Sequence, residues 1–351
     1  MTESVVFAYK PEEPTAEQLE GNIPGMAQIF DKLRERDLQP YLALGAEAAF
    51  TEAGVDLAAY DFAGMQTCSA GTLALAEVAV IFNRLNRSLK LPAIPHAEAL
   101  PPVINANASR SLAHDKFRAY QEVLRPGGLA IPTELVASQD DIEAFLEQQG
   151  ASRFMIKPVH GFASWGVEEV ARDELVERFT ADSQLYDHHI IQPAYDLTVP
   201  FPKSVRPYSK EGPVREDFDF LSAVGQSKEI RVYGFHSPAG TAVFPVARTM
   251  LFGDQWFFID PESVPEQIVE STRGVIARAA ELSGASALYG TVDYGYGSDG
   301  IVDSGWRAIE FNGKMPYLIG YNKHAGIADI LRNELADQIT ATAAGHGKVS
   351  L

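Results

Sequence analysis

Three oxygen-bearing side chains, Asp293, Glu310 and Asn312, stand inside two apolar, strand-like runs of the stretch GTVDYGYGSDGIVDSGWRAIEFNGKMP, residues 290–316. Burying such groups is costly unless something compensates them. In WRAIEFN, strand alternation sends Trp306, Ala308, Glu310 and Asn312 to one face and Arg307, Ile309 and Phe311 to the other. Glu310 and Asn312 therefore point the same way, with Asp293 on the preceding strand. If Asp293 pairs opposite Glu310, the connecting loop centres near residues 301–302, between the turn signals SDG and DSG. Two readings fit. The three hard oxygen donors converge on Mg²⁺, or the hairpin turns a polar face to water.

Two lysines have a suggestive setting. Lys116 opens a helix in AHDKF, and Lys157 ends the apolar strand FMIK just before a turn with Gly161 and Gly166. Such a turn can aim backbone N–H groups at an anion while ammonium groups neutralise it; the plainer alternative is a surface hairpin with a solvated lysine. No GxxxxGK[ST] occurs, so this is not a P-loop. Gln192, Pro193 and Ala194 end the strand IIQPAY, where an amide and backbone groups could meet an adenine edge or be satisfied by neighbours. Arg231 in KEIRVYG and Arg248 in FPVARTM interrupt apolar strands. Arginine there needs an anionic partner, either a ligand or one of the chain's own carboxylates. GYGSDG (295–300) matches GxGxxG, but strand-like residues follow where a dinucleotide site needs a helix. Neither HExxH nor GxSxG is present.

The elements that must position these groups can be read from periodicity. SVVFAYK, PYLALG and YDFAGMQ read as strands, with an amphipathic helix over IPGMAQIFDKLRERD whose stripe is Met26, Ile29, Phe30 and Leu33. Ser69 is placed to cap a helix over 72–86. Strands alternating with helices predict an open parallel sheet over roughly the first hundred residues. After the AHDKFRAYQEVLRPGG helix come a strand (IPTELVAS), a helix (DDIEAFLEQQG), a glycine-containing hairpin (RFMIKPVHGFASWGVEEV), a helix (ARDELVERFTA) and the strand HHIIQPAY. Residues 197–222 show no clear period and read as a long excursion over one face, a candidate lid. KEIRVYGFH, GTAVFPVARTM and QWFFID read as antiparallel strands, followed by a long helix, the opening hairpin and a last helix over 327–339.

The 351 residues suit about two or three domains. A formal charge of −18 argues against nucleic acid or an anionic membrane as the main partner, while leaving room for a small anion held by a local basic cluster. Cys68 is the single cysteine, which excludes an intramolecular disulfide and suits a cytoplasmic protein. The N-terminus lacks the look of a signal peptide, and the longest apolar run, LALAEVAVIF, is too short to span a bilayer.

In order, these motifs resemble the ATP-grasp superfamily, specifically its glutathione-synthetase-like and RimK-like amide ligases. The resemblance covers about 102–327. It rests on the Asn-ending strand VIN followed by Asp115–Lys116, the KP strand and glycine turn from Lys157 to Gly166, and the hinge strand ending in Gln192. It continues through EIRV with Arg231, the Arg248 strand, and Asp293 followed by Glu310-Phe-Asn312, the most specific piece.

The resemblance implies a combined α/β and α+β architecture: an N-terminal open parallel-sheet pre-ATP-grasp domain over 1–110, then ATP-grasp subdomains over 111–192 and 193–351. It implies that Lys116, Lys157 and Lys228 contact ATP, that Gly161 lies in the closing turn, and that Gln192 and the backbone near Ala194 meet adenine. Arg231 and Arg248 would hold the transferred phosphoryl group or a substrate carboxylate. Asp293, Glu310 and Asn312 would ligate Mg²⁺, with Mn²⁺ as an alternative. The implied reaction joins a carboxylate and an amine through an acyl phosphate, on amino-acid or peptide substrates read by Lys203, Arg206, Tyr208 and Lys314. A homodimer would follow family habit. A non-amine acceptor, or a nucleotide-binding regulator without turnover, are the alternatives. Pro193, the bulky FASW turn, GKMP after Asn312 and the 197–222 excursion depart from the family pattern.

Overall fold

The computed structural model describes residues 3–9, 28–44, 49–51, 54–61, 66–83, 100–161, 166–194, 206–208, 229–251, 255–259, 264–297, 305–313 and 325–345. Met26, Phe162, Trp165, Lys203, Lys228 and Lys314 lie outside them, as does most of 197–222.

The first sheet combines a parallel centre with an antiparallel edge. Strands β1 (Glu3–Tyr9), β2 (Leu38–Leu44), β6 (Val78–Asn83) and β7 (Val103–Ile104) run parallel in the order β2-β1-β6-β7. The short β3 (Phe50–Thr51), β4 (Gly54–Asp61) and β5 (Gln66–Leu73) form an antiparallel flank beside β2. Helix α1 (28–34) buries Ile29, Phe30 and Leu33, as its stripe predicts.

The helix expected over 72–86 is absent from its described part, residues 72–83. β5 ends at Leu73, one tight turn covers Leu75–Glu77, and VAVIFN is the central strand β6. A strand buried on both faces carries a continuous apolar run, which periodicity cannot separate from a buried helix. Ser69 is a residue of β5, where its hydroxyl accepts from Gly71 N–H at 3.4 Å instead of capping a helix. YDFAGMQ likewise spans the end of β4 and the start of β5.

A short helix not expected from sequence, α2 (Asn107–His114), precedes α3 (Lys116–Ala119), where the AHDKF helix was placed. The chain continues α3 through wider and then tighter turns to Arg125–Gly127, and Gly128 ends it at a φ of 79°, a left-handed value that glycine adopts without strain.

The second sheet is antiparallel, in the order β10-β9-β11-β8: β8 (Glu134–Leu135), β9 (Arg153–Pro158), β10 (Glu168–Ala171) and β11 (His189–Pro193). Helices α4 (Gln139–Gln148) and α5 (Leu175–Ala181) pack on it, with Ile142, Phe145, Leu175 and Phe179 against Phe154, Ile156 and Ile191. Alternation then sends Met155 and Lys157 to the opposite face.

The third sheet is antiparallel, in the order β12-β15-β14-β13-β16-β17. Its strands are β12 (Arg206–Tyr208), β13 (Glu229–Ser237), β14 (Gly240–Leu251), β15 (Gln255–Ile259), β16 (Leu288–Gly297) and β17 (Gly305–Asn312). β12 belongs to the stretch read as an excursion; three of its residues are an edge strand paired with β15. Helix α6 (Glu266–Ser283) covers one face, burying Ile268, Val275 and Ile276 against Ile230, Val232, Val292 and Tyr294. It lies close because Gly234 and Gly290 lack a Cβ, which would stand 2.8 Å from Ile276 in each case. On the other face, helix α7 (Ala325–Gly345) brings Leu331, Leu335 and Ile339 into one core with Phe7, Phe30 and Phe82 of the first unit and Tyr233, Phe235 and Tyr289 of the third sheet. Among the described residues no helix is long and apolar enough to cross a membrane.

Candidate active site

The register of the third sheet sets several predicted residues in one row. Arg206 pairs with Phe258, Phe258 with Arg248, Arg248 with Arg231, Arg231 with Asp293, and Asp293 with Glu310. Neighbouring strands lie about 4.8 Å apart, so this row crosses the whole sheet. The Asp293–Glu310 pairing, a condition in the sequence reading of the hairpin, is present.

The row works because β17 contains a bulge. Glu310 faces Asp293, yet Ala308 faces Tyr294, so Ile309 has no register partner. The extra residue switches faces. Trp306 and Ala308 join Phe311 in the core under α6, instead of sharing a face with Glu310 and Asn312 as simple alternation requires. The two polar residues are left on the side away from α6.

Asp293 is 2% exposed. Arg231 grips it with two bonds, Nε to Oδ1 at 2.6 Å and Nη2 to Oδ2 at 2.7 Å, and Asn312 Nδ2 donates to Oδ2 at 3.0 Å. Burial alone would lower the pKa of Arg231, but Asp293 overcomes this and holds it above the ordinary arginine range. Glu310 is in the opposite situation. Burial pushes its carboxyl up and Asp293 adds to the push, against Lys116, Lys157 and Arg231. Some 36% of its side chain still meets solvent, so the group is enclosed by protein without being sealed off.

The second sheet and α3 bring the cations. Asp115 caps α3, its Oδ1 accepting from Arg118 N–H at 2.9 Å. Lys116 follows: its backbone N–H bonds Val159 O at 3.0 Å, its Nζ donates to Gly161 O at 2.6 Å, and Nζ lies 3.7 Å from Glu310 Oε1. The carbonyl of Gly161 therefore holds Lys116, while 162–165 fall outside the described residues. Lys157 Nζ donates to Gln192 Oε1 at 2.6 Å. Burial pulls its pKa below the ordinary lysine range, with Glu310 opposing. Ala194 spends its backbone N–H on Arg153 O at 2.8 Å, continuing the β9–β11 ladder.

Lys116, Lys157, Gln192, Arg231, Asp293, Glu310 and Asn312 are thus drawn together between two sheets. Arg206, Tyr208 and Arg248 are placed by backbone register alone. Thr133, buried beside Gln192, and the stacked pair His114–His160 at 5.0 Å were not anticipated. Neither carries a motif; only an expectation that buried amides need partners points toward Thr133.

Among the described residues no three His, Cys, Asp or Glu side chains gather as a metal cluster. The donor set here is two carboxylates in adjacent register plus the Asn312 amide. Glu310 resists ionisation beside Asp293, a condition that a divalent cation relieves. Hard oxygens of this kind fit Mg²⁺ when phosphate oxygens or waters complete the shell.

No family model matches the chain, and no curated protein does. Solved structures do match along its whole length. The ATP-grasp ligase PsnB, complexed with a phosphomimetic variant of its minimal precursor, Mg and ADP, covers 97% of this chain and 98% of its own at 16% identity and a TM-score of 0.54. The fold is ATP-grasp. D-alanyl-alanine synthetase A from Vibrio cholerae covers 98% and 100% at 10% identity and a TM-score of 0.54. A RiPP-associated ATP-grasp ligase from Chryseobacterium gregarium, complexed with ADP and a leader and core peptide, covers 99% and 98% at 12% identity and a TM-score of 0.54. In this ATP-grasp fold Lys116, on α3, bonds Val159 and Gly161 just after β9 and reaches Glu310 of the third sheet, so it bridges the cleft between the second and third sheets.

Proposed function

We propose that the chain is an ATP- and Mg²⁺-dependent ligase that joins a carboxylate to an amine through an acyl phosphate. The observation that carries the reading is the convergence on Glu310 of Lys116 from α3 and Lys157 from the second sheet, at the end of the Arg248–Arg231–Asp293–Glu310 row. Phosphoryl transfer requires little covalent chemistry from the protein; it requires positioning and charge neutralisation.

Lys116 and Lys157 neutralise phosphate oxygens. Asp293, Glu310 and Asn312 hold Mg²⁺, which offsets the charge of the nucleotide phosphates when bound. A carboxylate has about four lone-pair sites, so Asp293 can serve Arg231 and a cation together. Arg231, fixed by Asp293, and Arg248, its register partner, hold the substrate carboxylate. A carboxylate oxygen takes the γ-phosphoryl group and ADP leaves. The amine nitrogen then forms the C–N bond as the C–O bond to phosphate breaks, and the amine proton passes to solvent or phosphate. Amino-acid or peptide substrates agree with the ligases of this fold named above, one making D-alanyl-alanine and two holding peptide or precursor. Arg206 and Tyr208, on the edge strand of the same sheet, are suited to contact the substrate beyond its reacting carboxylate.

Pairwise supply of carboxylates and amines, followed by ADP release and product mass, tests the reading. ADP should appear only when both are present with Mg²⁺. Glu310→Gln should lower turnover at least about a hundredfold with an unchanged melting temperature. Near-normal turnover in that variant removes Glu310 from the mechanism, and no thermal shift with Mg²⁺ and ATP removes the nucleotide altogether.

A further inference from the structure

Behind Lys157 lies a chain of buried hydrogen bonds with a fixed direction. Lys157 Nζ donates to Gln192 Oε1 at 2.6 Å, Gln192 Nε2 donates to Thr133 Oγ1 at 2.7 Å, and Thr133 Oγ1 donates to Ile131 O at 2.9 Å. Thr133 is 3% exposed and Gln192 5%, so water has little access to replace a missing partner.

The far end of the chain is an obligate acceptor. A carbonyl cannot donate, so the single Thr133 hydroxyl proton goes to Ile131 O. The oxygen then offers only lone pairs to Gln192, whose NH₂ must turn toward it. That leaves the carbonyl end of the same carboxamide facing Lys157. With an apolar side chain at 133, the Gln192 NH₂ would lose its buried acceptor, and the carboxamide would be held at its Lys157 end alone.

The chain also has an anchor in the other half of the site. Ile131 N–H bonds Ala308 O at 3.2 Å, and Ala308 N–H bonds Leu129 O at 2.7 Å. Ala308 lies on β17, just before the bulge that presents Glu310. An unbroken path of polar contacts thus runs from the Lys157 ammonium, through Thr133, to the strand that carries Glu310.

We propose that Thr133 is a positioning residue for nucleotide binding, fixing the Gln192 carboxamide so that its oxygen holds Lys157 in register with Glu310 across the cleft. This rests on the ligase reading for the ligand, ATP, and adds a residue that touches neither ATP nor metal. It also redefines Gln192 as the support of Lys157, with one amide N–H left for a base.

The test compares Thr133→Ser with Thr133→Ala, which differ by one hydroxyl, and Thr133 with Thr133→Val, which differ by hydroxyl against methyl. The readouts are Mg·ADP affinity by calorimetry, ATP KM and kcat from ADP release, and melting temperature. Loss of one buried hydrogen bond should weaken Mg·ADP binding and raise ATP KM about tenfold in Thr133→Val and Thr133→Ala. kcat should change by less than about threefold, and Thr133→Ser should return to within about twofold of wild type. If one of the apolar variants does not fold, the other carries the comparison. Unchanged Mg·ADP affinity in the folded apolar variants, or a serine variant as weak as alanine, overturns the proposal. Failure of the wild-type chain to bind Mg·ADP overturns the ligase reading first and this proposal with it.

Discussion

Asp293 illustrates how much one buried charge depends on its neighbours. Its two oxygens receive three hydrogen bonds from Arg231 and Asn312. Removing one member of a buried pair strands the other, and the stranded charge costs more than the pair was worth. Asp293→Ala should therefore cost about 3 kcal/mol in urea unfolding, and an Asp293→Leu, Arg231→Met double variant should recover most of it. A small loss in the single variant would mean that Arg231 finds water instead. At this scale the sequence was informative for the oxygens, because a period of two placed Glu310 and Asn312 together. It was silent on the bulge at Ile309, since no glycine or proline marks it and an isoleucine is ordinary in any strand.

Helix α6 against the third sheet shows an element defined by its contacts. Thr272 Oγ1 and Tyr294 OH lie 3.0 Å apart inside this packing, and burial pushes the Tyr294 phenol up to about 12. In the unfolded chain a tyrosine ionises near about 10. The folded state therefore keeps its proton where the unfolded state has lost it, and stability present below about pH 10 is lost as the pH rises toward about 12. Tyr294→Phe should cost about 1 kcal/mol at neutral pH and flatten the alkaline decline, seen as urea midpoints followed from about pH 8 to about pH 11. An unaltered slope would place the decline elsewhere. Elements with a clear amphipathic stripe, such as α1, α4 and α6, were legible from sequence. β6 was not, because a strand covered on both faces shows no stripe at all.

Across the molecule, one core joins the first sheet, the third sheet and α7, while the second sheet with α4 and α5 keeps a core of its own. Leu335, 2% exposed, sits in the shared core. Leu335→Ala should cost about 2–5 kcal/mol and leave the first and third sheets melting in one calorimetric transition; separate transitions would show that the shared core does not couple them. The second sheet is tied to the rest through Lys116, which bonds Val159 and Gly161 and reaches Glu310, and through the 129–131 segment. By itself, the sequence determined the alternation that aims Glu310 and Asn312, the helix that Lys116 opens, the charge balance and the impossibility of an internal disulfide, all of which are local or compositional properties. Only the tertiary structure decided the strand order that aligns Arg248, Arg231, Asp293 and Glu310, the face switch at Ile309, and the threonine behind Gln192. Those depend on which strands become neighbours, and neighbours are chosen by burial summed over the whole chain rather than by any window of it.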